Sequence, residues 1–298
     1  MRVLITGSTG LLGKAMMETC PAAYSVISLH LHPHRGQGLT QDILGDIRDM
    51  KVLRDIFAKQ DFDVVVHMAG ISNVDYAERH HQEALDSNLG GTANIVECCN
   101  QFDKRLIYVS SNAVFDGTRA PYRETDPVSP THAYGRIKVQ CEELVMKRAK
   151  QFSIARPILT YGWNHPFGRQ NPLTWLLDRL TKGEPTPLVT DVHENPLASL
   201  QAGEALWRLV GLPQVQLVHL AGADVMNRYE LGLIVAETFG LDTGLLRPVD
   251  RGYFKELVPR PPNTSYVTER MERELDIKPL SVREGLTLLK QRRCHHHV

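Results

Sequence analysis

The chain has 298 residues, of which 42% are apolar, so it can bury a full core and suits one large domain or two interlocked ones. Its 34 basic residues balance its 34 acidic residues, which gives no support to a nucleic-acid surface or an acidic partner. No apolar run reaches membrane-spanning length, and the N-terminus leads directly into a strand pattern instead of a signal region. We therefore expect a cytoplasmic protein with no membrane contact.

The cysteines are odd in number and show no CxxC pair. They stand at positions 20, 98, 99, 141 and 294. This pattern favours buried, reduced thiols over a disulfide framework.

The first turn of the chain has the pattern of a dinucleotide-binding site. Arg2 to Thr6 is predicted to be a buried strand, the string GSTGLLG follows, and Lys14 to Cys20 is predicted to be a helix. In this order the first glycine permits a sharp turn, the second lets backbone N–H groups approach a pyrophosphate, and the third lets the helix pack on the strand. The residues predicted to bind the cofactor here are Gly7, Thr9, Gly10, Leu11, Leu12 and Gly13.

Strand and helix signals alternate through the first half of the chain, which predicts an α/β fold: a doubly wound parallel sheet of the Rossmann type, covered on both faces. We assign residues 1–160 and 190–222 to an NAD(P)-binding Rossmann domain. Residues 161–189 and 223–298 are assigned to a smaller, discontinuous substrate-binding region.

The end of the second predicted strand, Ser25 to Leu31, bears on the choice of cofactor. An acidic residue there would bond the ribose 2′-hydroxyl of NAD, but the sequence offers His30, His32, His34 and Arg35 instead. Cationic or neutral donors suit a 2′-phosphate, so NADP(H) is favoured over NAD. A solvated loop with no role remains an alternative interpretation. A metal site has little support, because no carboxylate or cysteine is interleaved at ligand spacing.

Two further segments are predicted to meet the cofactor. In GDIRD, Asp46 can accept from the adenine amino group while Ile47 covers the ring, although Asp46 or Asp49 can also cap the helix predicted over Asp49 to Lys59. Both roles are compatible.

The fourth predicted strand, Asp63 to Met68, delivers the small residues Ala69 and Gly70, and then Ile71, to the carboxyl edge of the sheet, where ligands of such sheets bind. Asn88, in the next helix, has an amide that can hold a water or a backbone carbonyl near the catalytic centre. A plain structural hydrogen bond is the other interpretation.

Hydroxyl groups follow the fifth predicted strand, Leu106 to Ser110, so that Ser111 points into the crevice. Ser129 and Pro130 are predicted to start the following helix, with the serine as its cap and the proline in its first turn. Apolar residues then keep helical spacing, which places Tyr134 and Lys138 one turn apart on a shared face.

A tyrosine and a lysine at this spacing suit proton transfer at a C–OH/C=O centre. A free phenol titrates near pH ~10, and a nearby ammonium favours the phenolate. Lys138 can also hold the nicotinamide ribose, while Ser111 bonds the substrate oxygen and Tyr134 gives it a proton.

Several strings together resemble the extended branch of the short-chain dehydrogenase/reductase superfamily over nearly the whole chain. They are GSTGLLG, DI at 46 and 47, HMAG, the segment from Ser111 with VFDG, YGRIK and RPILTYG. The resemblance implies that Ser111, Tyr134 and Lys138 are catalytic. It also implies that Pro157 and Ile158 contact the nicotinamide carboxamide through their backbone.

Within this branch, SSNAVFDG, NRYEL and RPPNTS are most similar to dTDP-4-dehydrorhamnose reductases, which reduce the C4 ketone of a nucleotide-linked 6-deoxysugar with NAD(P)H. The reductase pattern has Thr-Asp-Tyr where this chain has Ser111, Asn112 and Ala113, and tryptophan where it has Leu159. A glutamate associated with a magnesium-linked dimer aligns with Ala15. We therefore expect a functional hydroxyl but no metal site; a homodimer remains open.

The second half is less regular. Arg169 and Asn171 can meet a diphosphate or sugar or lie on the loop surface, and Arg260 can grip phosphates or belong to a rigid loop. The elements predicted are a helix over Leu173 to Leu180, a loop over Thr190 to Pro196 facing the same crevice, a helix over Ala198 to Leu209, a strand over Gln216 to Leu220, a helix over Tyr229 to Phe239 ending at Gly240, a loop over Arg251 to Ser265, and a disordered closing tail, RRCHHHV.

The first functional hypothesis is an NADP(H)-dependent oxidoreductase that acts on a nucleotide-linked sugar as a C4-ketone reductase, with epimerisation left open. Dehydration is disfavoured because Asn112 and Ala113 offer no acid or base beside the hydroxyl. The second hypothesis is an NADP-binding, non-catalytic regulatory subunit, because RPILTYG is also similar to the β subunit of methionine adenosyltransferase, which resembles the same reductases.

Overall fold

The structure is a computed structural model, and it describes residues 1–31 and 41–295, without the side chains of 293–295. The strands are β1 (Arg2–Thr6), β2 (Ser25–His30), β3 (Asp42–Leu44), β4 (Val64–His67), β5 (Arg105–Val109), β6 (Phe152–Pro157), β7 (Thr160–Tyr161), β8 (Thr186–Val189), β9 (His193–Glu194), β10 (Leu197–Ala198), β11 (Leu217–Leu220), β12 (Met226–Asn227) and β13 (Leu246–Val249). The helices are α1 (Leu11–Glu18), α2 (Met50–Lys59), α3 (Val74–Arg79), α4 (His81–Leu85), α5 (Gly91–Gln101), α6 (Ala133–Arg148), α7 (Pro172–Thr181), α8 (Ser199–Val210), α9 (Arg228–Phe239), α10 (Glu269–Leu275) and α11 (Val282–His295).

Seven of these strands form one sheet in the order β11-β6-β5-β4-β1-β2-β3, and every neighbouring pair is parallel. The predicted α/β fold with a parallel Rossmann sheet is therefore confirmed. Strand order reverses between β1 and β4, and ligands of such sheets bind in the crevice outside the carboxyl ends at that reversal. The fold thus fixes where the site must lie.

The side chains of the central strand β1 alternate between the two faces of the sheet and so belong to two separate layers of the core. Val3 and Ile5 belong to one buried cluster, which includes residues of α1 and α8, whereas Leu4 belongs to another, which includes residues of α2, α5 and α6. Successive strand side chains point to opposite faces, so both faces of the sheet are covered. The carboxyl edge is left for the site.

The second half builds a third cluster around α7, α9 and α11. There β8 pairs in parallel with β13, outside the main sheet, whereas β11 joins the main sheet beside β6. The division of the chain into a Rossmann domain and a substrate-binding region stays a prediction. Along the part of the chain that the structure describes, no helix is long and apolar enough to cross a membrane.

Some predicted bounds were wrong. Helix α1 starts at Leu11, three residues earlier than predicted, because Gly10 already lies in the extended conformation of a helix cap. The loop predicted over Thr190 to Pro196 contains β9, which pairs with β12. The closing tail, RRCHHHV, was predicted to be disordered, but α11 continues through His295; the last three residues of the tail lie outside the described residues.

The start of α6 also differs from the prediction. The helix begins after His132, whose Nδ1 accepts from the backbone N–H of Gly135 at 3.2 Å. Ser129 does not cap it, because its backbone N–H donates to the carbonyl oxygen of Val114 at 2.8 Å and its hydroxyl bonds Asp116. Tertiary hydrogen bonds thus occupy Ser129, which sequence alone predicts to be the cap of the helix.

Candidate active site

One cleft of about 1470 Å³ runs along the carboxyl edge of the main sheet, from the glycine turn to α7, α9 and the loop before Thr264. Nearly all residues predicted to bind the cofactor or to act in catalysis line it. They are Gly7, Thr9, Gly10, Leu11, Leu12, Gly13, His30, Asp46, Ile47, Ala69, Gly70, Ser111, Tyr134, Lys138, Pro157 and Ile158.

The glycine turn has the predicted shape. Gly7 has φ +75°, and a Cβ there would lie 2.8 Å from the backbone nitrogen of Ala69. A Cβ on Gly13 would lie 2.4 Å from Ser8 Cα, which is why α1 can approach the turn so closely. No side chain caps α1 at Gly10, and the first residues of this helix line the cleft, so its uncapped N–H groups are suited to a phosphate bound there.

At the end of the cleft where adenosine is predicted to lie, His30 and Ile47 belong to the lining. Asp46 also lies there, beyond the end of β3, and its carboxylate is bonded by Arg48 through contacts of 2.6 to 3.1 Å. This hydrogen bonding holds the pKa of Asp46 below its usual range. Asp49, not Asp46, caps α2. His32, His34 and Arg35 lie outside the described residues.

Asn88 supports the cleft wall through the backbone of Ile71. Its Oδ1 accepts from the Ile71 N–H at 2.7 Å and its Nδ2 donates to the Ile71 carbonyl oxygen at 2.9 Å. Gly70 is packed against this amide, since a Cβ there would lie 2.5 Å from Asn88 Oδ1. The structural interpretation of Asn88 therefore fits the contacts, and a role toward the cofactor stays a prediction.

Ser111 lies two residues beyond β5, and its hydroxyl forms two local hydrogen bonds. Its Oγ accepts from the backbone N–H of Ala113 and donates to Asn112 Oδ1, both at 3.2 Å. Asn112 Nδ2 donates to Glu194 Oε1 and to Thr264 Oγ1, both at 2.8 Å. A carboxylate can only accept, so the amide of Asn112 is fixed with its oxygen toward Ser111.

Tyr134 and Lys138 lie one turn apart on α6, as predicted, and both line the cleft. The Lys138 ammonium is 5.9 Å from the centre of the Tyr134 ring. It donates to the carbonyl oxygen of Val109 at 2.8 Å and to the Tyr108 hydroxyl at 3.1 Å. The ammonium is thus tied to β5, the strand that precedes Ser111.

Two polar residues of the predicted substrate region have structural partners. Asn171 caps α7, and its Nδ2 donates to the carbonyl oxygen of Gly162 at 2.8 Å. Arg260 donates to Asp75 Oδ2 at 2.7 Å and anchors its loop to α3. Both still line the cleft, as does Arg169, so their predicted contacts with a phosphate or sugar remain predictions.

Sequence reasoning missed a charged pair in the substrate half of the cleft. Arg228, the first residue of α9, lies 3.0 Å from Glu194 Oε2, and both line the cleft. Glu194 Oε1 also accepts from Asn112 Nδ2, so a carboxylate contacts the residue that follows Ser111, although Asn112 and Ala113 themselves offer no acid or base. The only local signal was that the loop containing Glu194 was predicted to face the crevice.

Arg48 and Ser110 were also missed. Arg48 lines the same end of the cleft as Asp46. Ser110 also lines the cleft, and its buried hydroxyl has no hydrogen-bond partner among the described residues. No group of three or more metal-binding side chains occurs within residues 1–31 and 41–292. Ala15, where the dimer-linked glutamate aligns, is buried at 1% exposure.

The sheet, the glycine turn and the Ser-Tyr-Lys cleft are those of an extended short-chain dehydrogenase/reductase. Comparison with known proteins gives the family: the profile of the RmlD substrate binding domain matches residues 1–293. The chain belongs to that family.

Three known proteins illustrate what the chain is similar to. The spore coat polysaccharide biosynthesis protein SpsK of Bacillus subtilis is 28% identical over 98% of both chains. Methionine adenosyltransferase 2 subunit beta of Bos taurus is 27% identical over 83% of this chain and 75% of its own. The structure of dTDP-4-dehydrorhamnose reductase from Bacillus anthracis, in complex with NADP, has a TM-score of 0.86 at 21% identity, over 98% of this chain and 99% of its own.

Proposed function

We propose that this protein is an NADP(H)-dependent reductase that acts on the C4 ketone of a nucleotide-linked 6-deoxysugar. The observation that carries the proposal is that Ser111, Tyr134 and Lys138 share one cleft with the glycine turn. Membership of the RmlD family and the similarity to a reductase structure support the same class of reaction.

The residues present fit a dinucleotide. The glycine turn and the uncapped start of α1 suit the pyrophosphate, and Pro157 and Ile158 line the same cleft, where the nicotinamide carboxamide is proposed to lie. When bound, the nicotinamide supplies the hydride for the reduction. NADP(H) is proposed over NAD because no Asp or Glu occurs between His30 and Gln41, where a carboxylate would select the 2′-hydroxyl.

The chain's own residues then have separate tasks. On substrate binding, the Ser111 hydroxyl turns its single proton from Asn112 Oδ1 to the substrate oxygen and so holds the ketone in place. Tyr134 gives a proton to that oxygen, a step typically worth about 10²–10⁴-fold in rate. Lys138 supplies a positive charge that favours the phenolate left on Tyr134. Arg228 lies where an anionic part of a nucleotide sugar can reach it.

The test is to mix the purified protein with NADPH and a panel of nucleotide-linked 4-ketosugars and to follow the loss of NADPH absorbance. Wild-type protein should oxidise NADPH with at least one member, whereas Ser111→Ala and Lys138→Met should be at least ~10²-fold slower. Mass spectrometry of the sugar identifies the reduced product. An inverted sugar with no net oxidation of NADPH would instead indicate an epimerase and overturn the reductase proposal.

A second candidate is an NADP-binding regulatory subunit without catalysis. It is favoured by the similarity to methionine adenosyltransferase 2 subunit beta over 83% of this chain. Tight NADPH binding combined with no oxidation across the whole panel would favour this candidate. A homodimer is a further proposal, to be tested by light scattering of the protein in solution.

A further inference from the structure

Beneath the proposed catalytic residues lies a tyrosine that the proposed reaction does not use. Tyr108, on β5, is among the largest fully buried side chains of the protein. Burial raises the pKa of its hydroxyl well above the usual value, so the group stays neutral over the working range of pH. A neutral hydroxyl can accept one hydrogen bond and donate another.

The direction of each bond follows from the chemistry of the partners. The Lys138 ammonium can only donate, so at 3.1 Å the Tyr108 oxygen must accept from it. Cys141, one turn after Lys138 on α6, lies beside the Tyr108 hydroxyl. With the oxygen lone pair directed to the ammonium, the tyrosine proton can be directed to this sulfur.

The hydrogen bond from Lys138 to Tyr108 helps to fix the direction of the remaining N–H of the ammonium. Of its three N–H groups, one goes to Val109 and one to Tyr108. Lys138 lines the cleft, so the third is left for groups there. The Tyr108 ring is also within 4.8 Å of the ammonium and adds a cation–π contact.

We propose that Tyr108 is a positioning residue for Lys138, which holds the ammonium in place and aims its third N–H into the cleft. This inference rests on the proposed function only for its consequence in turnover. The geometry can be tested without any substrate.

The test variant is Tyr108→Phe, which keeps the ring and removes only the hydroxyl. The ammonium then loses one hydrogen bond that favours its charged form. The other ionisable groups around it are unchanged; they are Tyr134, Cys141 and Glu142 on α6 and His67 on β4. Tyr161→Phe is the matched control, because Tyr161 is equally buried but its hydroxyl faces the Val282 carbonyl oxygen.

The first readout is competitive labelling of Lys138 with acetic anhydride across pH, quantified by peptide mass spectrometry. In Tyr108→Phe the pH of half-maximal reactivity should fall by about one pH unit, the scale of one lost charge-assisted hydrogen bond. It should not move in Tyr161→Phe. Superimposable curves for wild type and Tyr108→Phe would overturn the inference.

The second readout applies where the wild type turns over a substrate. The alkaline limb of the pH–rate profile should move to lower pH in Tyr108→Phe, with little change in NADPH affinity. A uniform loss of rate at every pH would indicate a merely structural role and overturn the inference. If the wild type has no activity but the labelling curve shifts, the reductase proposal fails and the positioning role of Tyr108 stands.

Should Tyr108→Phe not accumulate as folded protein, Cys141→Ala carries the test. Without the sulfur, the Tyr108 proton loses its acceptor and the hydroxyl is no longer held toward Lys138. A smaller shift of the labelling curve in the same direction is expected. An unchanged curve would overturn the inference.

Discussion

Replacing two glycines of the same turn by alanine should impair different properties, stability at Gly13 and cofactor binding at Gly10. At Gly13 a Cβ would lie 2.4 Å from Ser8 Cα and 2.5 Å from the carbonyl oxygen of Gly7, and backbone atoms cannot rotate away. Overpacking of this kind costs about 1–3 kcal/mol, and the helix preference of alanine returns up to about 1 kcal/mol. We expect Gly13→Ala to lower the free energy of unfolding by about 1–2 kcal/mol.

At Gly10 the added Cβ would meet only the carbonyl oxygen of Gly7, at 3.3 Å, and the backbone lies at φ −77° and ψ 174°, which alanine adopts without strain. Gly10→Ala should therefore change the free energy of unfolding by less than about 0.5 kcal/mol. Gly10 lines the cleft at the proposed pyrophosphate site, so the methyl group should weaken NADPH binding at least ~10-fold, about 1.4 kcal/mol.

Urea unfolding measures the first quantity and a fluorescence titration with NADPH measures the second. The expected pattern is a fold defect in Gly13→Ala and a binding defect without a fold defect in Gly10→Ala. Wild-type NADPH affinity in Gly10→Ala would refute the placement of the phosphates. Wild-type stability in Gly13→Ala would refute the packing argument.

Two further predictions concern stability. Glu142→Gln leaves the buried Arg156 guanidinium without its carboxylate, so the free energy of unfolding should fall by about 3–5 kcal/mol. The exposed control Glu269→Gln should lose far less, because solvent screens its pair with Arg123; equal losses in urea unfolding would contradict this. Burial lowers the pKa of His132 from 6.5, its value in the unfolded chain, to about 4 in the folded protein. As pH falls, the unfolded chain therefore binds the proton first. The free energy of unfolding that is present above pH 6.5 is then partly lost as pH falls toward 4. His132→Asn keeps a capping side chain without that titration, so its free energy of unfolding should fall less between about pH 7 and about pH 4.5; parallel losses would count against the assignment.

The parts of this protein that sequence predicted well are local in the chain. The glycine turn and its strand need only thirteen consecutive residues, and the strand from Arg2 to Thr6 leads into the turn directly. The φ of +75° at Gly7 is a value that glycine alone adopts freely. Tyr134 and Lys138 share a face because a helix repeats every 3.6 residues. The apolar strand patterns gave the sheet, since buried parallel strands read as continuous apolar runs.

The parts that sequence missed depend on contacts between distant residues. Asn112 meets Glu194, 82 residues further along the chain, and this contact cannot be read from either local pattern. Ser129 is a residue type that commonly caps helices, but its backbone N–H is hydrogen-bonded to the Val114 carbonyl oxygen, and His132 caps α6 instead. Sequence also left two interpretations of Arg260, as a phosphate ligand or as part of a rigid loop. Its hydrogen bond to Asp75, which is distant in the chain, fits the loop interpretation.

The central claim is that Tyr134 gives a proton to the substrate oxygen in a cleft that also holds the cofactor. The most direct measurement compares wild type and Tyr134→Phe in the same preparation, for NADPH affinity by fluorescence and for NADPH oxidation with the sugar that the wild type accepts. The account predicts nearly unchanged affinity and turnover reduced by at least ~10²-fold. Turnover equal to that of the wild type would contradict it.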